Sequence, residues 1–93
     1  MNYIVKKAFI ELYPNKVMDF EGRIKYSRAF KGYNANVKYT RDYKEFKLSY
    51  LWKNVSDEIK IGLIQHLLNR VYKTDVNTIN IELYEIYLKK IPQ

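Results

Sequence analysis

The stretch that decides the fold is residues 20–50, FEGRIKYSRAFKGYNANVKYTRDYKEFKLSY, in which apolar and polar side chains alternate in three short runs. A period of two is typical of strands that bury one face. The runs predict strands at about 20–27, 34–40 and 44–50, paired as an antiparallel meander with one face exposed to solvent. The alternation turns one set of side chains toward the core: Phe20, Ile24, Tyr26, Ala35, Val37, Tyr39, Phe46, Leu48 and Tyr50.

Helical spacing of apolar residues flanks this stretch on both sides. Residues 3–13 show it and stop before Pro14, which predicts a first helix. After the strands, an almost continuously apolar run predicts a largely buried helix at about 56–72. A last helix is predicted at about 76–90, and its apolar side is formed by Val76, Ile79, Leu83, Ile86, Tyr87 and Ile91.

The predicted order, α-β-β-β-α-α, belongs to the α+β class, with a small three-stranded antiparallel sheet and helices packed on one face. At 93 residues the chain suits a single domain, residues 1–93. Cysteine is absent, which excludes disulfides and thiolate metal sites and fits a reducing cytoplasm. No apolar run is long enough for a membrane span, so we expect a soluble, cytoplasmic protein without a membrane partner. Frequent Lys, Ile, Tyr and Asn suggest an A/T-rich genome of archaeal type.

Positive charge is concentrated in one third of the sequence. The formal net charge is +7, and residues 23–53 hold nine basic and two acidic side chains, whereas the rest carries eight of each sign. A concentrated excess creates a local field that attracts polyanions. We therefore predict a nucleic-acid-binding set that consists of Arg23, Lys25, Arg28, Lys31, Lys38, Arg41, Lys44, Lys47 and Lys53.

The alternation divides this set between the sheet and its turns. The outer face of the sheet is predicted to hold Arg23, Lys25, Lys38 and Lys47, with Asn36, Thr40 and Ser49 between them. Three aromatic residues in or beside the turns would stack on unpaired bases if they are exposed, namely Tyr33, Tyr43 and Trp52. The alternative for the cations is a sheet face that is simply exposed to solvent, since lysines on edge strands also block aggregation. The alternative for the three aromatic residues is that they pack in the core.

The middle of the chain also resembles a known enzyme family. The segments IKYSR (24–28), FKLS (46–49) and IGLIQHLLNR (61–70) resemble SprT-like and minimal gluzincin-type zinc metallopeptidases over residues 20–72. The central helix of that family carries His-Glu-x-x-His. In this chain His66 stands at the first ligand position, Leu67 at that of the general-base Glu, and Arg70 at that of the second His. The resemblance therefore implies a metallopeptidase-type scaffold without its catalytic site.

A catalytic zinc needs three protein ligands and an open fourth position. With one histidine and no cysteine, the resemblance leaves Glu82 or Glu85 of the last helix as further candidates, which is too few. We therefore expect no catalytic residues, no metal, no cofactor and no small-molecule substrate. For His66 a core or boundary histidine is the simpler interpretation and a weakly metal-binding relic the alternative. For Glu82 and Glu85 the simpler interpretation is that they lie on a solvent-exposed face of the last helix.

These observations support three functional hypotheses. The first is a non-catalytic, metallopeptidase-derived module that binds RNA as a small ribosome-associated or ribosomal protein. The second is a protein-interaction module, a pseudoenzyme that uses the former cleft, and DNA in place of RNA is a further alternative. The third, an active hydrolase with an unfamiliar site, is disfavoured because the general base and second histidine are missing.

Gly62 within the central helix costs up to ~1 kcal/mol relative to Ala, which predicts close packing by a neighbour there.

Overall fold

The computed structural model describes residues 2–91 and confirms both the α+β class and the order of elements. A short 3₁₀ turn, Tyr50–Asn54, follows the last strand. Within the described residues, no helix is both long enough and apolar enough to cross a membrane. The helices and strands are α1 (Tyr3–Leu12), β1 (Glu21–Ser27), β2 (Ala35–Tyr39), β3 (Tyr43–Ser49), α2 (Asp57–Tyr72) and α3 (Ile79–Lys90).

The sheet is mixed rather than antiparallel, and on this point the prediction is wrong. Strand β3 lies in the centre, parallel to β1 and antiparallel to β2, so the spatial order is β1-β3-β2. Alternation assigns each side chain to a face but does not say which strand lies beside which. Residues 28–34 therefore pass the end of β3 instead of forming a hairpin, and they need to span only two strand spacings of about 4.8 Å.

Burial explains why β3 is the central strand. Its Phe46 and Leu48 are completely buried, whereas the matching residues of the two edge strands are only partly buried. In register, Phe46 lies between Ile24 of β1 and Val37 of β2. The most apolar run of the three thus gains a neighbour on each side as well as the helices beneath it.

The helices cover the inner face of the sheet. Helix α1 lies so close to β1 that a Cβ added at Gly22 would stand 2.5 Å from Cγ1 of Val5. From α2, Lys60 Nζ lies 3.1 Å from the Tyr26 hydroxyl of β1. Opposite these contacts, the side chains of Arg23 and Lys25 are exposed. One face of the sheet is therefore covered and the other is open to solvent.

A buried glutamine links the three helices. The Gln65 side chain is fully buried, and its Nε2 donates to the Ala8 carbonyl of α1 at 3.2 Å. Its Oε1 accepts from the hydroxyl of Thr78, which also caps α3 by accepting from the Ile81 N–H. Because both ends of the buried amide are satisfied, this polar group joins the helices at little cost.

The contact between α2 and α3 depends on Gly62. A Cβ at this position would stand 2.9 Å from Cβ of Tyr84 and would overlap the Asn80 carbonyl. The close packing predicted for Gly62 is confirmed. Asn80 also donates from Nδ2 to the Glu58 carbonyl at 3.0 Å, which helps to set the rotation of α3 about its axis.

Helix α3 turns a different side to the core than predicted. Ile81 and Tyr84 are buried, and Leu88 is packed against the core. The predicted side is largely in solvent, because α3 has apolar residues on two opposite sides and periodicity alone does not choose between them. The exposed fractions on that side are 37% for Val76, 75% for Ile79, 38% for Leu83 and 49% for Ile86.

Candidate nucleic-acid interface

The uncovered face of the sheet carries cationic side chains in two adjacent cross-strand rows. One row runs Lys25, Lys47, Asn36 across β1, β3 and β2, and the row beside it begins at Arg23 and ends at Lys38. Lys47 is half-buried because its strand is central, and the other three cations are exposed. The prediction that Arg23, Lys25, Lys38 and Lys47 share this face agrees with the register of the strands.

Two acidic side chains, Glu21 and Glu45, also lie on this face, so it is less uniformly basic than the charge count of the strands indicates. Glu45 stands between Arg23 and Lys38 in register. No ion pair within 4.0 Å joins it to either cation; among the described residues that distance is met by Lys60 with Asp57. Glu45 nevertheless offsets part of the charge of its row, so the positive field is strongest in the row of Lys25 and Lys47.

The end of the sheet next to that row adds an aromatic surface. Arg28 follows β1, and its guanidinium carbon lies 4.8 Å from the ring centroid of Tyr50, which follows β3. Tyr50 is 42% exposed, although alternation predicted that it would face the core. It begins the 3₁₀ turn, where the strand period no longer holds. The sequence reasoning missed Tyr50 because the end of β3 is set by Ser49, whose hydroxyl caps the turn.

Lys44 does not lie with the other predicted cations. It occupies the inner face of β3 and is 3% exposed, with Nζ 4.0 Å from the Phe20 ring centroid and 5.2 Å from that of Tyr72. Burial lowers the pKa of Lys44, and the nearby carboxylates of Asp19 and Asp42 oppose that effect. Because strand alternation places residues 44 and 46 on the same side, Lys44 cannot reach a ligand on the outer face.

The remaining predicted cations are exposed but do not share one surface. Lys31 belongs to the connection between β1 and β2, and Lys53 to the 3₁₀ turn. Arg41 lies in the turn between β2 and β3, at the opposite end of β3 from Tyr50. A ligand that runs along β3 would therefore meet Arg41 at one end and Arg28 at the other.

The three aromatic residues proposed for base stacking have different surroundings. Trp52 is completely buried, and Tyr33 packs edge-on against it with ring centroids 5.1 Å apart. The Tyr33 hydroxyl also accepts a hydrogen bond of 3.3 Å from Tyr87. Tyr43, on the outer-face side of β3, is 37% exposed. Of the three, Trp52 thus serves the core, Tyr33 is partly engaged by it, and Tyr43 is available to a ligand.

His66 is half-buried on α2 and packs against Tyr84, with ring centroids 5.3 Å apart. Burial lowers the pKa of His66, the positive charge of Arg70 lowers it further, and Glu85 opposes both effects. His66, Arg70 and Glu85 line one shallow cavity of about 490 Å³. Within residues 2–91, no three His, Asp or Glu side chains converge in a way that could hold a metal ion.

A cavity of about 610 Å³ lies between the 28–34 connection and the helices α2 and α3. Its lining combines Lys31, His66 and Arg70 with the apolar side chains of Leu63 and Leu67. Among residues 2–91, no carboxylate lines it. The groove opens beside His66.

Comparison with protein-family models, with curated proteins and with solved structures finds no match to this chain. The fold and the interface define an α+β domain whose sheet is covered on one face and basic on the other. The likeness of residues 20–72 to metallopeptidases stays a prediction.

Proposed function

We propose that this protein binds single-stranded RNA on the outer face of its sheet and acts as a non-catalytic, cytoplasmic, ribosome-associated protein. The observation that carries the proposal is the uncovered face of the sheet, where Arg23, Lys25, Lys38 and Lys47 project from three adjacent strands. Lysine and arginine side chains that neutralise phosphates release condensed counterions, and this release supplies most of the sequence-independent affinity for nucleic acid.

The surroundings of the basic rows favour a flexible single strand. Asn36 lies in the same row as Lys25 and Lys47 and offers an amide to sugar and phosphate oxygens. Tyr43 and Tyr50 are exposed at opposite ends of β3, and base stacking on an aromatic ring contributes about 1–3 kcal/mol per base. Aromatic side chains can stack only on bases that are unpaired, so these tyrosines favour binding of a single strand over a duplex.

The expected lack of catalysis is part of the same proposal. The residues that follow His66 at the general-base and second-ligand positions of the resembled family are Leu67 and Arg70. Leu67 is buried and carries no titratable group. A guanidinium in place of an imidazole repels a cation, so this helix cannot provide the open three-ligand site of a hydrolytic zinc.

Reversing the charge of the outer face tests the proposal. The variant Lys25→Glu/Lys38→Glu/Lys47→Glu should fold normally, because none of the three side chains is fully buried. Its affinity for a single-stranded RNA, measured by fluorescence anisotropy, should fall by at least about a hundredfold at low salt. Each lost phosphate contact also reduces the slope of log affinity against log salt by about 0.7 for a single strand.

A matched control carries the same change of charge on the other side of the molecule. Lys6→Glu/Lys7→Glu/Lys73→Glu alters exposed residues of α1 and the end of α2, away from the outer face. This variant should keep most of the affinity. An equal loss in both variants would show that net charge alone attracts RNA and would overturn the assignment of the face.

Co-sedimentation with ribosomes across increasing salt tests the ribosomal part of the proposal separately. Saturable pelleting that weakens only at high salt, and that the outer-face variant loses, supports it. Failure to pellet at low salt overturns the ribosomal role while RNA binding in solution still stands. Competition by a single-stranded DNA of the same sequence distinguishes RNA from the DNA alternative, since only RNA has a 2′-hydroxyl.

A protein partner in the groove is the second candidate function, and the lining of the groove favours it. Its walls are apolar, with Lys31 and Arg70 at its sides, which suits an apolar side chain of a partner that is flanked by acidic residues. Association that persists at high salt and survives the outer-face substitutions would favour this function over RNA binding.

A further inference from the structure

Helix α3 presents an apolar stripe on the side opposite the core. Ile79, Leu83 and Ile86 follow one another at spacings of four and three residues along α3. Ile79 is 75% exposed and Ile86 49%. A helix that is apolar on two opposite sides is usually covered on both.

The spacing of this stripe is that of a two-helix seam. Apolar residues that recur alternately after four and three residues form the a and d positions of a heptad, which pack against the same positions of another helix. The next position of the series is Lys90, whose aliphatic stem can cover an apolar neighbour while its charge stays in water.

The charges along the stripe change sign from one end of α3 to the other. Glu82 lies in the first turn, and Lys89 and Lys90 lie in the last turn. Glu82 and Lys89 are seven residues apart, so they lie on the same flank of the stripe. A second copy of α3 running antiparallel would set Glu82 of each copy beside Lys89 of the other.

We propose that this stripe is a self-association surface, on which two copies of the chain pair through antiparallel α3 helices about a two-fold axis. Leu83 and Ile86 of both copies meet around the axis, and Ile79 of each packs beneath the stem of Lys90 of the other. A two-fold interface needs a surface that is complementary to itself, and the sign change along α3 supplies this. The proposal does not depend on RNA binding.

The size of the stripe sets the expected strength. Stable interfaces bury about 1,200–2,000 Å² in total, and three partly exposed apolar side chains per copy with their flanking charges fall below that range, in the class of weak, transient contacts. We therefore expect a dissociation constant on the order of 10 µM. Sedimentation equilibrium of the full chain should show a monomer–dimer equilibrium without larger species.

Two matched substitutions locate the surface. Ile86→Glu should leave a monomer at every concentration measured. Ile10→Glu, on α1, changes a residue that is 48% exposed against 49% for Ile86, and it should leave the dissociation constant unchanged. A wild-type chain that stays monomeric up to roughly 1 mM, or equal effects of the two substitutions, would overturn the proposal.

A charge exchange then tests the antiparallel register. Glu82→Lys and Lys89→Glu, made separately, each replace two attractive pairs with repulsive ones and should weaken association about three- to tenfold. The double variant recreates both pairs with reversed signs and should return to within about twofold of the wild type. Circular dichroism verifies that each variant stays helical. A double variant as weak as the two single ones, with its helices intact, would overturn the register, as would trimers or longer assemblies.

Discussion

His66 couples protonation to folding at the scale of a single residue. Its ring is half-buried against Tyr84, and burial and Arg70 together hold its pKa below the ordinary value of 6.5. Between the folded-state pKa and 6.5 the unfolded chain binds the proton more readily than the folded chain. The contribution of His66 to stability is therefore fully present above pH 6.5 and is lost as pH falls toward the folded pKa.

The lowered pKa of His66 predicts how the stability of the protein depends on pH. The free energy of unfolding of the wild type, measured with urea between pH 7.5 and 5, should decrease on acidification below 6.5. His66→Gln, which cannot take up a proton, should show a flatter dependence over the same interval. Parallel pH profiles of the two proteins would show that His66 does not titrate in this window.

Lys44 and Lys47 stand three residues apart on β3 and should behave in opposite ways. Lys44 is packed on the inner face against Phe20, whereas Lys47 belongs to the outer face. Lys47→Met removes one phosphate contact and should weaken RNA affinity several-fold at low salt. Lys44→Met should leave the affinity unchanged and raise stability near neutral pH, because it removes a charge that burial disfavours. A loss of affinity in Lys44→Met equal to that in Lys47→Met would contradict this placement.

At the scale of elements, the packing of α3 on α2 depends on the absence of a side chain at Gly62. Gly62→Ala should gain up to ~1 kcal/mol of helix propensity, but its Cβ would overlap the Asn80 carbonyl. We expect a net loss of about 1–3 kcal/mol in the free energy of unfolding, since α3 must shift to relieve the overlap. Glu58→Ala, an exposed change on the same helix, should stay within about 0.5 kcal/mol of the wild type. A Gly62→Ala variant as stable as this control would contradict the close contact.

The elements also show why part of the candidate site followed from the sequence and part did not. Arg23, Lys25, Lys38 and Lys47 lie where alternation placed them, because the two faces of a strand follow from a local period of two. Lys44 lies on the inner face by the same alternation that places Phe46 and Leu48 there, and the charge count alone groups it with the other cations. Tyr50 stands at the end of β3, and its position depends on where the strand ends. Strand ends are set by capping contacts and by neighbouring elements, which the alternation does not contain.

At the scale of the whole molecule, the two proposed surfaces belong to different elements. The basic face lies on the uncovered side of the sheet, and the apolar stripe lies on the solvent side of α3. The inner face of the sheet is covered by the helices, and α3 packs on α2 through Gly62. Substitutions that abolish self-association are therefore expected to leave the outer-face cations in place, so the two proposals can be tested independently.

The sequence by itself determined the α+β class, the order of elements and the side of the sheet on which the cations lie. These properties follow from whether apolar residues recur every two residues or at helical spacing, which is local along the chain. Only the tertiary structure decided that β3 lies between β1 and β2, and that Ile81 and Tyr84, rather than Ile79 and Ile86, face the core. Those choices depend on contacts between residues far apart in the chain, such as Gly62 with Asn80, which no local period records.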